Sequence, residues 1–216
     1  MEKVLENLYW DLVNSREVSG YINNVLENIQ NEAENFSPTW HALGFVHCKL
    51  YENESGTLRI HIWPEWERDK SEQVHKIHDH IFSISSYVVC GSVTNKNYSL
   101  FESDASCESS FQLYRVKYES NGSSLAPCEE FFQPVVDQEK LVQKGNIYCI
   151  DRGVFHELSV NEFELTATFV ATHNHDVKDP KMLGNRDNAL NITRKKVNFP
   201  THEWKALLKQ IQTGEC

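Results

Sequence analysis

An all-β body with helices at both ends is the fold class the sequence predicts, on three observations. Apolar residues at three- and four-residue spacing occur only near the two termini. Between them the chain is broken into short runs rich in Val, Ile, Phe, Tyr and Thr, separated by polar or Gly-containing breaks. No helical pattern interrupts those runs, which points to a sandwich or barrel rather than a parallel sheet.

The elements follow in order. Within residues 2–34, Val4, Leu5, Leu8 and Leu12, then Ile22, Val25, Leu26 and Ile29, form two helical stripes, with Ser19 and Gly20 between them. Ser37-Pro38 ends this segment, because Pro disfavours helix in the residue before it. Strands are expected over 41–51, 57–63, 84–94, 98–102, 111–118, 146–150, 154–160 and 162–172. Residues 176–191 have the least ordered composition. Thr201 can cap a last helix through Trp204, Leu207, Leu208 and Ile211 to Gly214. The expected organisation is a single domain: a helical extension over 1–37, a β-barrel over 38–175 and a C-terminal segment with a helix over 176–216.

Composition narrows the partners. A chain of 216 residues is sized for one core. With 21 basic and 31 acidic residues its formal charge is -10, a field that repels phosphate backbones and anionic lipid, so no nucleic acid and no membrane partner is expected. No stretch approaches the roughly 20 apolar residues of a membrane helix, and the expected location is cytoplasmic. The six cysteines are read as reduced thiols, Cys48, Cys90 and Cys149 as small apolar residues in strand-like runs.

The chemistry lies in the histidines. Ten histidines in a chain of this length give an H-x-H pair by chance roughly 0.5 times; two are present. His78-Asp79-His80 adjoins a strand-like run, where alternation puts both imidazoles on one face. A third ligand must come from elsewhere, and 145–156 offers it. There a strand, a tight Asp151-Arg152-Gly153 turn and His156 on the returning strand aim that imidazole back across the same cavity.

These two segments resemble the paired motifs of the cupin superfamily of jelly-roll β-barrels. His78 and His80 match the first motif's pair and Gly91 its glycine, while its Glu slot holds Ile84 or, with longer spacing, Ser85. Gly145, Gly153 and His156 match the second motif, with Asp151 at the usual Pro and Val160 at the usual Asn. A three-histidine set without the carboxylate is similar to the thiol dioxygenases, of which cysteine dioxygenase is the best-known type. The resemblance implies a mononuclear non-haem Fe(II) dioxygenase acting with O2 on a small polar thiol, amino or carboxylate substrate, with iron on His78, His80 and His156. That group's cross-linked cysteine and tyrosine would fall at about Ser85 and His173, and its carboxylate-binding arginine near Asn53. None of the three matches, so L-cysteine is not carried over as substrate.

Other residues are candidates from pattern. Arg59, His61 and Trp63 alternate with Leu58, Ile60 and Ile62, so one strand face is polar, lining the barrel or facing solvent. Inward, Arg59 could pair bidentately with a substrate carboxylate, and Arg115 follows the same logic. His61 is a candidate partner of the metal site or a surface histidine. Ser85 and Tyr87 follow the ligand pair and are candidates to reach the cavity, Ser85 as a catalytic group and Tyr87 as a substrate contact. His173 is a candidate acid, base or substrate contact; with His175 and Asp176 it forms the second H-x-H pair, a possible second metal site. Two alternatives stand beside the iron enzyme. Three imidazoles and a water also suit zinc, and hence a hydrolase or isomerase, and another divalent transition metal is open to the same ligands. A cupin barrel can also bind a small ligand without turning it over. Edge strands that pair between subunits would give a homodimer.

Overall fold

The structure, a computed structural model, describes residues 1–65, 76–119, 122–185 and 192–214. It is mostly β: two antiparallel sheets form a jelly-roll-like sandwich, with two helices before them and one after. The helices are α1 (Glu2–Val13), α2 (Ile22–Asn31) and α3 (Thr201–Thr213). Thr201 is the first residue of α3 rather than its cap; Pro200 precedes it, and Gly214 ends the helix in the left-handed conformation. Among the described residues no helix is long and apolar enough to cross a membrane.

The first sheet contains β1 (Thr39–His41), β2 (Phe45–Asn53), β3 (Gly56–Trp63), β4 (Ser83–Cys90), β8 (Ile147–Ile150), β10 (Thr166–His173) and β13 (Val197–Asn198), in the order β13-β1-β2-β3-β10-β4-β8. The second has the order β11-β6-β7-β5-β9, from β5 (Ser92–Ser103), β6 (Phe111–Glu119), β7 (Gly122–Gln143), β9 (Phe155–Val160) and β11 (Lys181–Gly184), with β12 (Ile192–Lys195) pairing to β7. The two faces of the first sheet do different things. Leu58, Ile60, Tyr87 and Phe169 face outward and pack with Leu8 and Leu12 of α1 and Trp204 of α3 in the largest apolar cluster. Ile84, Val88 and Val170 face inward, with Val93, Val142 and Ile150, in the core between the sheets.

Three features depart from the expectation. The run 84–94 is not one strand: it breaks at Gly91, φ +67°, and the chain passes from the first sheet to the second. A Cβ there would lie 2.8 Å from the Leu165 carbonyl oxygen. Gly91→Ala is therefore expected to cost about 2 kcal/mol or more, lowering the melting temperature by about 4–8 °C in a thermal denaturation. The second departure is β7, 22 residues long and unassigned from sequence. It carries Pro127 and Pro134 and is largely exposed, so its apolar alternation is weak. Lastly, Cys48, Cys107, Cys128 and Cys149 are free as expected, but Cys90 is disulfide-bonded, and of the three read as apolar Cys48 and Cys90 are buried while Cys149 is exposed.

Candidate metal centre and its cavity

The residues around His78 are the seam of the second sheet. The His78 N–H donates to the His156 carbonyl at 3.0 Å and the His156 N–H to the His78 carbonyl at 2.9 Å, a bridge to β9. On the other side the Asp79 N–H donates to the Lys181 carbonyl and the Leu183 N–H to the Ile77 carbonyl, both at 2.9 Å, a bridge to β11. The two edge strands of the sheet are thus joined through the H-x-H segment. The turn before β9 adds a bond from the Gly153 N–H to the His80 carbonyl at 2.9 Å.

This framework brings the three imidazoles together. One ring nitrogen from each of His78, His80 and His156 lies within 4.8 Å of the others, and among the described residues this is the one group of His, Cys, Asp and Glu so placed. The His156 Nδ1–H donates to the Val154 carbonyl at 3.1 Å and the His78 Nδ1–H to the Lys76 carbonyl at 2.8 Å. A carbonyl only accepts, so each Nδ1 carries the proton and each Nε2 the lone pair. His156 is fully buried, and its Nε2 and the His80 Nδ1 have no hydrogen-bond partner. Such buried nitrogens are costly unless something coordinates them. Burial, then the neighbouring imidazoles, lowers the pKa of His80 far below the ordinary range; burial, then His78, lowers that of His156 to about 3. Neutral imidazole is the form that ligates metal. The residues present fit a divalent transition metal.

Asp79 positions this group without facing it. Its Oδ1 accepts the Lys181 N–H at 2.5 Å, tying the H-x-H segment twice to the same residue of β11. Asp79→Ala keeps all three ligands and is expected to weaken metal binding about tenfold or more, measured by competition with a chelating dye.

The histidines open into a cavity of about 210 Å³ between the sheets. His41, His47, His61, His78, His80 and His156 all line it, six of the ten histidines in the chain. Arg59 points into this cavity from β3, and the outward alternative for that strand face falls. Its Nε–H donates to Thr57 Oγ1 at 3.0 Å, Thr57 Oγ1 bonds Thr172 Oγ1 at 2.9 Å, and its guanidinium carbon lies 5.7 Å from the Phe82 ring centre. Tyr118 of β6 and Thr172 also line the cavity, as does Ile84, while Ser85 does not.

Four candidates do not reach it. Ser85 and Tyr87 share the outward face of β4; Tyr87 packs in the helix-covered cluster, and Ser85 Oγ meets His173 Nε2 at 3.2 Å. His173 lies on the same outward face and borders a separate cleft beside α1 with Tyr9, Glu52 and Asn53. Arg115 is exposed on β6. His175 bonds Thr172 Oγ1 at 3.4 Å, and the second H-x-H pair forms no metal-ligating group with Asp176 among the described residues. His75 lies outside the described residues. Sequence reasoning passed over His41, Phe45 and His47. Alternation on β2 puts Phe45 and His47 on one face, with His47 opposite His61, and His41 stands opposite Phe45 on β1.

His47 gives a pH dependence. Burial, then Arg59, depresses its pKa from the ordinary 6.5 to about 4. The unfolded chain takes up this proton first, so stability is expected to fall as pH drops from about 6.5 towards 4. His47→Gln should flatten that fall in urea titrations across this range.

No protein-family model matches the chain, and no curated protein matches it. Among solved structures it is similar to hydroquinone 1,2-dioxygenase PnpCD in complex with Cd2+ and 4-hydroxybenzonitrile, at 12% identity and a TM-score of 0.35 over 60% of this chain and 64% of that one. It is similar to Drosophila melanogaster CENP-C bound to CAL1 at 11% identity and a TM-score of 0.34, over 63% and 80% of the two chains. For hydroxypropylphosphonic acid epoxidase from S. wedmorenis the values are 12% and 0.35, over 62% and 55%. The matched region spans less than two thirds of both the dioxygenase and the epoxidase chains.

Proposed function

We propose that the chain is a cupin-type, mononuclear non-haem iron dioxygenase, like the thiol dioxygenases in its ligand pattern, which oxidises a small thiol, amino or carboxylate compound with O2. The observation that carries this reading is the all-imidazole group, with ligand nitrogens within 4.8 Å of one another and the His156 Nε2 buried without a partner. Ferrous iron held there would supply open coordination positions and electron transfer to dioxygen.

The chain's own residues do the rest. The Val154 and Lys76 carbonyls fix the tautomers of His156 and His78. The three ligands are neutral imidazoles and Ile84, which lines the same cavity, offers no carboxylate, so the ligand set carries no negative charge. Arg59 faces the same space and is the proposed partner of a substrate carboxylate, with Thr57 fixing its orientation. Phe82, Tyr148 and Val170 give the cavity apolar walls that limit water.

The test is elemental analysis of protein purified without oxygen or added metal, followed by oxygen-electrode traces with a panel of small thiols, amines and carboxylates. Near-stoichiometric iron and substrate-dependent oxygen uptake are expected. Zinc with oxygen-independent turnover would replace the reading with a hydrolase or isomerase, and absence of metal with no uptake would leave a ligand-binding barrel.

A further inference from the structure

The cavity wall changes chemistry along β3. Arg59, His61 and Trp63 occupy alternate positions of one strand and line the cavity together. Four residues of strand put the Arg59 and Trp63 backbones roughly 13 Å apart.

At one end the Arg59 guanidinium forms no salt bridge among the described residues; it touches the Thr57 hydroxyl and the Phe82 face, while Tyr118 and the exposed Glu52 carboxylate act on it electrostatically without forming one. Burial lowers its pKa, which is the sign of a cation short of solvent. A partly buried cation with no carboxylate in contact is incompletely compensated, and a bound anion would supply that contact. At the other end Phe45 and Trp63, 7% and 5% exposed, lie 4.9 Å apart between ring centres. Phe45 also stacks on His41 at 4.3 Å, with 14° between the planes, and neither Phe45 nor Trp63 belongs to the apolar clusters that build the core. Between the two ends His61 faces the cavity with no hydrogen-bond partner among the described residues.

We propose that the ligand of this cavity is an anion that carries a planar ring. Its carboxylate sits on Arg59, its ring lies against Phe45 and Trp63, and the link between them passes His61 beside the three-histidine group. This rests on the same cavity being the substrate site of the metal centre, and it narrows the substrate from a small polar compound to an aryl-alkyl carboxylate. An acid without a ring would leave the aromatic end wet, and a ring without an acid would leave the guanidinium unpaired.

Three probes separate these contributions in isothermal titrations of the full chain: 3-phenylpropanoate, propanoate and 3-phenylpropan-1-ol. 3-Phenylpropanoate is expected to bind about tenfold or more tightly than either of the others. Arg59→Gln should bring it to the level of the alcohol. Phe45→Leu, which keeps an apolar side chain of similar bulk, should bring it towards that of propanoate, with Trp63→Leu as a second variant and thermal melts confirming that each is folded. His156→Ala, which removes a metal ligand, should leave 3-phenylpropanoate binding within a few-fold. Equal binding of propanoate and 3-phenylpropanoate, no binding of any probe, or unchanged affinity in Arg59→Gln overturns the inference. So does loss of binding in His156→Ala alone, which would put the carboxylate on the metal. Metal content is read separately: probe binding without iron would sink the oxygenase reading and leave this one standing.

Discussion

His156→Ala is expected to emerge from purification without metal and, on the proposed oxygenase reading, to show no substrate-dependent oxygen uptake. The side chain is fully buried, its Nε2 has no hydrogen-bond partner, and among the described residues no other His, Cys, Asp or Glu joins His78 and His80 in a ligand group. What remains is a pair of imidazoles two residues apart on one segment, and two ligands hold a divalent ion far more weakly than three. The fold should survive, because the bonds that join His78 to residue 156 are main-chain bonds that Ala also makes. Elemental analysis and an oxygen electrode measure the loss, and circular dichroism checks the fold. Full oxygen uptake in this variant would remove the basis of the enzyme assignment.

Trp204→Ala should produce the largest loss of stability. Trp204 heads the fully buried side chains by volume and joins α3 to the cluster that also holds α1 and the outward face of the first sheet. Truncating a buried Trp costs about 3–5 kcal/mol, which in a chain of this size is about 6–20 °C in melting temperature. Its Nε1 is buried without a hydrogen-bond partner. Trp204→Phe should therefore cost clearly less, since it removes an unpaired N–H while keeping most of the apolar bulk. A Trp204→Ala protein that melts within 2 °C of the parent, roughly 1 kcal/mol at this size, would show that α3 contributes little to the core.

The terminal helices were readable because a helix that covers a sheet needs a continuous apolar stripe. Leu5, Leu8 and Leu12, and Leu207, Leu208 and Ile211, supply it and are all buried. The histidines were readable for a related reason: ligand chemistry leaves few residue types to choose from, and His78, His80 and His156 do converge. Which side chains join them was only half legible. Alternation shows that Arg59, His61 and Trp63 share a face, and it does not show which face is inside. Arg115 followed the same logic and faces solvent. The misplacement of Ser85, Tyr87 and His173 has a definite cause. His78, His80, Phe82 and Ile84 all line the cavity, so the alternation that begins at the ligand pair runs on into β4 and puts Ser85 and Tyr87 on the opposite face. His173 stands opposite Ser83 of β4 and so shares that outward face. Strand β7 escaped because its partners are satisfied through the backbone over most of its length while its side chains stay exposed.

The seam at His78 bears on how such a centre can change. Its place between β9 and β11 is set by four main-chain hydrogen bonds, which do not depend on the identity of the side chains at 78, 80 or 156. The segment behaves as a socket with interchangeable inserts: exchange of a histidine for aspartate or cysteine would alter the softness and charge presented to an ion while the backbone positions stayed put. A sheet closed in this way can present different ligand sets to an ion by single substitutions, without first having to rebuild its scaffold.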